Sequence, residues 1–185
     1  MASENTGPQV GALNQDAYAS AAEMQVIADK ISAGDYSGAL SMCAHAYALP
    51  LSRYCMAFTG SQSESETLVE EVLTAAYAGF AQYRSGRDVR AWLFGLARRI
   101  CGRHIELRAR KTGHGVESSG ENKETQRVRS ALSKLKPSER EALVLRYEAG
   151  LSVRELALSC GVDEATAHKR ISRGLVRLRS ELSEG

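Results

Sequence analysis

A polar, glycine-rich segment divides this sequence into two parts, each of which needs its own hydrophobic core. Residues 108–126 contain three glycines and two serines, and Val116 is the only branched aliphatic residue among them. This composition is typical of a flexible linker, which would leave the distance between the two parts variable. Apolar residues recur at helical spacing on both sides of it. The sequence therefore predicts an all-α fold, in which a helical bundle and a helix-turn-helix domain of three to four helices are joined by a flexible linker.

Turn signals and helical periodicity set the limits of these regions. The start of the chain is predicted to be disordered up to residue 15 and helical from Asp16 to about Ile31. Pro50 predicts a kink or a break near Leu49 in the first helix of the bundle. The predicted division is an N-terminal extension at 1–33, the bundle at 34–107, the linker at 108–126 and the helix-turn-helix domain at 127–185.

The net charge of +2 conceals an uneven distribution along the chain. Residues 1–33 hold one basic and four acidic side chains, whereas residues 127–185 hold twelve basic and eight acidic ones. A basic C-terminal part in a nearly neutral chain predicts a localised site for a polyanion.

The sequence also excludes several classes of protein. No apolar run approaches the length of a membrane span, and the N-terminus lacks the basic and apolar parts of a signal peptide. We therefore expect a cytoplasmic protein without membrane insertion. The cysteines show no C-x-x-C spacing, which favours reduced, buried thiols over disulfides or zinc, and we expect neither a metal nor another cofactor. The sequence leaves open a redox role for the four cysteines, Cys43, Cys55, Cys101 and Cys160.

The helix predicted at about 89–110 carries an aromatic residue and two arginines in one row. Residues seven and eleven positions apart on a helix return to within roughly 20–40° of each other, so Trp92, Arg99 and Arg103 form a stripe beside the apolar face. A flat aromatic surface next to cations suits an unstacked nucleobase and its phosphates. The alternative is an indole that closes the edge of the core beside two solvated arginines.

The preceding helix, predicted at about 65–83, combines an apolar stripe with acids that lie off it. Glu70, Glu71 and Thr74 fall outside the stripe. Acids near a helix N-terminus are favourable to the helix dipole, and here they could also form a docking surface for a basic partner. The turn at 84–88, which contains two arginines, is predicted to lie at one end of the tryptophan stripe.

The C-terminal part has the spacing of a DNA-binding helix-turn-helix. Ala157 permits a close helix approach, Gly161 tolerates the positive φ of the turn, and Asp163 caps the next helix. A capping box at 138–141 is predicted to open the helix before this motif. A generic three-helix bundle with a basic surface is the alternative. The polar side chains in the first turns of the last helix are Thr166, His168, Lys169, Arg170 and Arg173.

Short motifs occur in a fixed order in both parts. In the first they are Gly34-Asp35, Ala48-Leu49-Pro50, Arg53-Tyr54, Leu68-Val69-Glu70-Glu71-Val72, Arg90-Ala91-Trp92-Leu93 and Ala97-Arg98. In the second they are Leu135-Lys136-Pro137, Arg140-Glu141, Leu145-Arg146-Tyr147, Gly150-Leu151-Ser152, Glu155-Leu156-Ala157, Gly161-Val162, Thr166, Arg170 and Arg177-Leu178-Arg179. The ordered set resembles the extracytoplasmic-function sigma factors, the small two-domain class of bacterial transcription initiation factor.

This resemblance covers about residues 34–182 and implies partners for each domain. The first domain would bind the β′ clamp helices of core RNA polymerase and open the −10 promoter element, holding a flipped base. The second would recognise the −35 element beside the β flap, and an anti-sigma factor would regulate the protein. Departures from the family pattern at Glu64–Thr67, Tyr77, Ala167 and His168 would affect polymerase affinity or promoter choice rather than the fold.

The resemblance also implies which residues make these contacts. Polymerase binding falls to Leu68, Glu70, Glu71, Leu73, Thr74 and Tyr77. Binding and melting of the −10 element falls to Arg84, Arg87, Asp88, Arg90, Trp92, Arg99 and Arg103. Binding of the −35 element falls to Thr166, His168, Lys169, Arg170 and Arg173.

Two other classes of protein fit the sequence less well. A conventional repressor or activator would use only the helix-turn-helix and would bind duplex DNA as a dimer, but no ligand domain or dimerisation helix is evident. An enzyme would need a catalytic motif, and the sequence has no phosphate loop, G-x-S-x-G or H-E-x-x-H. The sequence therefore favours a DNA-melting protein without catalysis of its own.

Overall fold

The computed structural model describes residues 20–84, 86–112 and 123–183, and over these ranges it contains helices and no strand. The all-α prediction is therefore confirmed. A 3₁₀ turn follows the third α-helix, and a π-helical turn follows the sixth. The α-helices are α1 (Ala21–Ser32), α2 (Tyr36–Thr59), α3 (Gln62–Gly79), α4 (Val89–Thr112), α5 (Lys123–Ser133), α6 (Pro137–Leu143), α7 (Val153–Cys160) and α8 (Glu164–Ser183).

Helix α1 lies in the N-terminal extension and packs onto the bundle. A capping box at Ser20 starts it, several residues after the predicted start at Asp16. Its apolar side, with Ile27 and Ile31, is buried where α1 meets α2. The extension is thus part of the N-terminal core, while the disorder predicted for residues 1–15 falls outside the described residues.

A kink or a break was predicted near Leu49, and because helix α2 runs without interruption through Pro50, the break is wrong. A proline inside a helix removes one backbone hydrogen bond and crowds the preceding turn. Here the turns on both sides share one buried face, on which Tyr47, Leu51 and Tyr54 are at most 1% exposed. Packing of this face in the bundle holds the helix together across the proline.

Three of the four cysteines lie in the N-terminal core, and all four are free thiols, as the sequence predicts. Cys55 on α2 and Cys101 on α4 are in contact, with their Sγ atoms 3.3 Å apart. Burial raises the pKa of Cys43 to about 12. Hydrogen bonding to Cys55 and burial also raise the pKa of Cys101. Since the thiolate is the reactive form, these side chains serve as apolar core residues.

The C-terminal half differs from the sequence prediction at the start of α6. Lys136 occupies the N-cap position without a side-chain hydrogen bond, and Pro137 fills the first turn, so the capping box predicted at 138–141 is wrong. Proline suits this position because its missing N–H would have no partner there. The helix then changes to a π-helical turn, Val144–Glu148, and Gly150 follows with φ 65°.

Helices α7 and α8 form the predicted helix-turn-helix. A capping box between Ser152 and Glu155 starts α7, and Gly161 ends it with φ 66°. Asp163 Oδ1 then accepts a hydrogen bond from the backbone N–H of Thr166 at 2.6 Å. The predicted roles of Gly161 and Asp163 in the turn are both confirmed.

Gly174 of α8 lies close against α6, and we predict that Gly174→Val destabilises the C-terminal half. A Cβ at this position would lie 3.0 Å from Leu143 Cγ and 3.2 Å from the Glu139 carbonyl oxygen. Overpacking of this kind costs about 1–3 kcal/mol, which thermal unfolding followed by circular dichroism will detect. Gly102→Val is the matched control, because no atom lies within 4 Å of a Cβ at Gly102. Equal melting temperatures for the two variants would contradict the prediction.

The two halves pack directly against each other, mainly through α4 and α7. The sequence predicts a variable distance between the halves, and in this structure they are in contact. Helix α4 continues to Thr112 and α5 begins at Lys123, so both helices reach into the predicted linker at 108–126. The C-terminal end of α4 and the N-terminal end of α5 are polar, so their composition is typical of a linker. Residues 113–122 lie outside the described ranges.

Candidate nucleic-acid interface

The last helix, α8, presents a basic face opposite its buried side. Ala167 and Ile171 face the core of the C-terminal half, while Lys169 and Arg173 are exposed and Arg170 is half-buried. At 100° per residue, these three basic residues fall within about 100° of one another. The buried side therefore holds α8 in place, and its outer side is positively charged. A helix that enters a DNA groove needs both properties.

Two of the residues predicted to bind the −35 element, His168 and Thr166, do not belong to this basic face. His168 is exposed but lies about 160° around the helix from Arg170, so it is outside the basic face. The Thr166 hydroxyl donates to Asp163 Oδ2 at 3.1 Å, which uses its proton inside the cap. Hydrogen bonding from the Thr166 backbone N–H lowers the pKa of Asp163, so this cap carries a charge at neutral pH.

Trp92 packs against aromatic residues of the N-terminal half and also lines a cleft. Its indole contacts Phe80, with ring centroids 5.8 Å apart, and Tyr83, with ring centroids 5.3 Å apart. A Cβ added at Gly79 would lie 3.0 Å from the indole, so the glycine makes room for the ring. The ring is half-buried: it closes the edge of the N-terminal core and also lines a cleft.

This cleft lies between the two halves and has a volume of about 1030 Å³. Helix α1, the turn before α4, the start of α4 and α7 form its walls. Three exposed arginines, Arg87, Arg99 and Arg154, line it from three different segments, and none forms an ion pair with another described residue. The cleft is therefore a positively charged space beside an aromatic ring.

The other residues predicted to bind the −10 element are hydrogen-bonded within the protein, buried, or outside the cleft. Asp88 Oδ1 accepts a hydrogen bond from the Ala91 backbone N–H at 2.8 Å, which caps the start of α4. Arg90 is 6% exposed and lies between the halves. Arg84 and Arg103 are exposed but do not line the cleft. Of the predicted set, the structure brings together Arg87, Asp88, Trp92 and Arg99.

The exposed side of α3 carries the predicted polymerase-binding acids. Glu70, Glu71 and Thr74 are exposed, and Tyr77 beside them is 48% exposed. Leu73 is half-buried, and Leu68 is 1% exposed because it faces the core of the bundle. Leu68 therefore supports this surface from below and is not part of it, which corrects the sequence-based assignment.

Comparison with known proteins covers both halves. A family model for region 4 of sigma-70 matches residues 125–178, and one for the sigma2 domain of PhyR matches residues 48–97. A relative in Rhodopseudomonas palustris (strain TIE-1), the ECF RNA polymerase sigma factor EcfG, is 29% identical over 143 residues, covering 72% of this chain and 77% of its own. The ECF RNA polymerase sigma factor SigL of Mycobacterium tuberculosis is 29% identical over 151 residues, covering 75% and 85%.

The chain belongs to the extracytoplasmic-function sigma factors. It is thus a transcription initiation factor. The solved structure of CnrH with the cytosolic domain of CnrY shares the fold, with a TM-score of 0.72 over 88% of this chain and 98% of that one at 22% identity. The sigma factor RpoE from Bartonella quintana, solved with the anti-sigma factor NepR, matches with a TM-score of 0.60 and 27% identity over 74% and 92%.

Sequence reasoning missed the residues through which this sigma factor joins its two halves. Arg98 Nε and Nη2 donate to the two carboxylate oxygens of Glu141 at 2.7 and 3.0 Å. Burial lowers the pKa of Arg98, but hydrogen bonding to Glu141 and the Glu141 charge, with smaller contributions from neighbouring groups, together outweigh it and raise the pKa. The Arg140 guanidinium lies over the Phe58 ring, 5.2 Å from its centroid. Motif matching found Arg98 and Glu141 separately, but it carries no signal that they pair.

No helix in the described part of the sigma factor is long and apolar enough to cross a membrane. Over the same ranges, no three side chains of His, Cys, Asp or Glu come together as candidate metal ligands.

Proposed function

We propose that this sigma factor divides promoter recognition between its halves, with the −10 element bound in the cleft beside Trp92 and the −35 element bound by α8. The observation that carries the proposal is the cleft itself, in which an aromatic ring lies beside Arg87 and Arg99. Stacking on an aromatic side chain and nearby cations are what a single-stranded base and its phosphates need. The protein directs RNA polymerase to promoters, and here each half would supply one part of that task.

In the N-terminal half, residues 34–107, the exposed side of α3 would bind the polymerase clamp. Glu70 and Glu71 are exposed, so a basic partner surface can reach both. Arg99 has no ion pair among the described residues, which leaves its charge available to a phosphate. Strand opening would follow from capture of an unstacked base against Trp92, which replaces the stacking that the base loses.

In the C-terminal half, residues 127–185, the basic face of α8 would enter the major groove at the −35 element. Lys169 and Arg170 lie near the N-terminal end of α8, where a recognition helix meets base edges. Arg173 lies one turn further on and would hold a phosphate. Lys169, Arg170 and Arg173 share one face of α8. Their different roles are therefore assigned from their positions along the helix.

The proposal extends to the regulator of this sigma factor and to its location in the cell. The related structures of CnrH and RpoE were solved with CnrY and with the anti-sigma factor NepR. We infer that an anti-sigma factor also binds this chain. The chain itself would act in the cytoplasm, where it would bind polymerase and promoter DNA without catalysing a reaction.

The decisive experiment adds the purified chain to sigma-free polymerase core and sequences the RNA made from fragmented genomic DNA. A sigma factor yields transcripts that start at a shared pair of −35 and −10 elements, and core alone yields none. A conventional repressor or activator would instead bind duplex DNA without core and would leave start-site selection unchanged. Absence of promoter-specific RNA with active core would contradict the proposal.

We predict that Lys169→Ala and Arg173→Ala affect transcription in different ways. Loss of a base contact should cost about 1–3 kcal/mol at one base position, so Lys169→Ala, like Arg170→Ala, should change the ranking of −35 variants. Loss of a phosphate contact should weaken all promoters alike and lower the salt slope by about one unit, as expected for Arg173→Ala. The measurement is transcription from a library randomised across the −35 element at two salt concentrations. His168→Ala, outside the basic face, is the control.

A further inference from the structure

We propose that the cleft between the halves binds a nucleoside triphosphate, with its base against Trp92 and its phosphates on three arginines. The arginines are Arg87 of the turn before α4, Arg99 of α4 and Arg154 of α7, and all three line the cleft. The inference goes beyond the proposed function, because capture of a −10 base makes no use of Arg154. That residue belongs to the C-terminal half, so the site is complete only where the two halves meet.

Arg87 and Arg99 extend from backbone segments that the fold holds in place. The Tyr83 hydroxyl donates a hydrogen bond to the Arg87 carbonyl oxygen, which fixes the turn. Arg99 lies beside the contact between α4 and α7. Its Nη1 is 3.9 Å from the position of a Cβ added at Gly95, and the Ser159 carbonyl oxygen is 3.5 Å from the same position. Cations on fixed segments need little ordering of the backbone when an anion binds.

Arg154 reaches the cleft from a place that is unfavourable for a cation. It lies in the first turn of α7, which starts at a capping box between Ser152 and Glu155. The helix dipole disfavours positive charge at this end of a helix. Arg154 is exposed and forms no ion pair with another described residue. An anion bound in the cleft would offset both the dipole and the repulsion between the arginines.

The acids that line the cleft already have partners within the protein. Asp88 Oδ1 accepts a hydrogen bond from the Ala91 backbone N–H at 2.8 Å. Glu155 Oε1 lies 3.4 Å from Arg90 Nη1. The three exposed arginines are therefore left for a ligand. Linked phosphates suit them, because a guanidinium group donates paired hydrogen bonds to phosphate oxygens.

The cleft also offers apolar surface for a nucleobase. Trp92 lines it, as do Met24 of α1 and Leu158 of α7, and Leu158 is 55% exposed. A base stacked on the indole would cover apolar surface that otherwise faces water. The cleft volume of about 1030 Å³ is sufficient for a ligand of this size. Stacking tolerates any base, so the site should distinguish a nucleotide from inorganic phosphate better than one base from another.

The first measurement is quenching of tryptophan fluorescence in the full chain by ATP, with excitation at the red edge of the indole band. Trp92 is the only tryptophan in the sequence, so the signal reports on the cleft. We expect saturable quenching by ATP, none by adenosine at the same concentration, and reversal by inorganic tripolyphosphate, which competes for the arginines without stacking. Absence of saturable quenching, equal quenching by adenosine, or failure of tripolyphosphate to compete would overturn the proposal.

The second measurement is the affinity of Arg154→Ala for ATP. Loss of one charge-assisted hydrogen bond should weaken binding by about tenfold or more. Arg154 is exposed, so the variant should melt near the wild-type temperature. Arg53→Ala is the control, because Arg53 is exposed on α2 and lies outside the cleft, and this variant should bind ATP as the wild type does. Unchanged ATP affinity in Arg154→Ala would overturn the ATP site and leave the proposed function standing.

The third measurement is competition between ATP and DNA, and its expected result rests on the proposed function. Both ligands would stack on Trp92, so ATP should displace a fluorescently labelled single-stranded oligonucleotide of randomised sequence from the free chain. If ATP quenches the fluorescence of Trp92 but leaves the oligonucleotide bound, the ATP site stands and the assignment of −10 capture to the cleft is wrong. Failure of promoter-specific transcription alone would contradict the proposed function and leave the fluorescence result intact.

Discussion

Reversing the two acids on α3, as Glu70→Lys/Glu71→Lys, is expected to remove nearly all affinity for core polymerase while the protein stays folded. Both side chains are exposed and lie outside the apolar stripe of α3, so the substitution changes surface charge and little else. Like charges facing each other across an interface cost several kcal/mol, and about 2.7 kcal/mol already corresponds to a hundredfold loss. The measurement is the dissociation constant for core by fluorescence anisotropy of labelled sigma factor.

A charge-matched control distinguishes this surface from a general effect of net charge. Glu106→Lys/Glu148→Lys makes the same change at two exposed positions on α4 and on the π-helical turn. It should bind core with nearly wild-type affinity, and both double variants should melt near the wild-type temperature. If the α3 variant copurifies with core as the wild type does, α3 is not the docking surface.

Trp92→Ala is expected to destabilise the N-terminal half strongly, because the indole fills the space between Phe80, Tyr83 and Gly79. Truncating a buried aromatic residue to alanine costs about 3–5 kcal/mol, and for this half-buried ring we expect about 2–3 kcal/mol. For a chain of this size that corresponds to a fall in melting temperature of roughly 4–12 °C. Circular dichroism at rising temperature provides the measurement, and Trp92→Phe, which retains a ring, should lose less than half as much.

Arg99→Ala tests the cleft without the loss of stability. Arg99 is exposed and has no ion pair among the described residues, so the variant should melt near the wild-type temperature. Permanganate reactivity of the −10 bubble should nevertheless fall by about fivefold, since a phosphate contact next to the stacked base is lost. Permanganate reactivity at the wild-type level would mean that Arg99 lines the cleft without contacting the DNA. Gln25→Ala, in the part of the cleft lining that α1 contributes, is the control for a change in cleft volume.

The parts of this structure that depend on local chemistry could be predicted from the sequence. The stripe of α3, the glycine at φ 66° in the helix-turn-helix and the Asp163 cap each depend on residues within one or two turns of each other. The same holds for the exposure of Glu70 and Glu71. Periodicity and capping are short-range effects, so one sequence contains all the information they need.

The contacts between the halves could not be predicted in this way. Arg98 and Glu141 are 43 residues apart, and helical periodicity shows which face a side chain occupies without showing what covers it. Arg90 was therefore assigned to DNA, although in the structure it donates to the Ala149 carbonyl. Pro50 was overestimated as a breaker because propensity takes no account of the buried face around it. The π-helical turn could not be predicted, because the apolar spacing in Val144–Glu148 is that of an ordinary helix.

The pairs between α4 and the C-terminal half also bear on how such proteins can evolve by recombination. A chimera that joined residues 1–112 to the C-terminal half of a relative would place Arg90 and Arg98 against unrelated side chains. Unless the incoming half carried acids where Glu141 and Glu155 stand, two guanidinium groups would be desolvated without a countercharge, a loss worth about 3–5 kcal/mol for a buried pair. Each arginine and its acid should therefore be gained and lost together among descendants, and the two halves should be inherited as one unit.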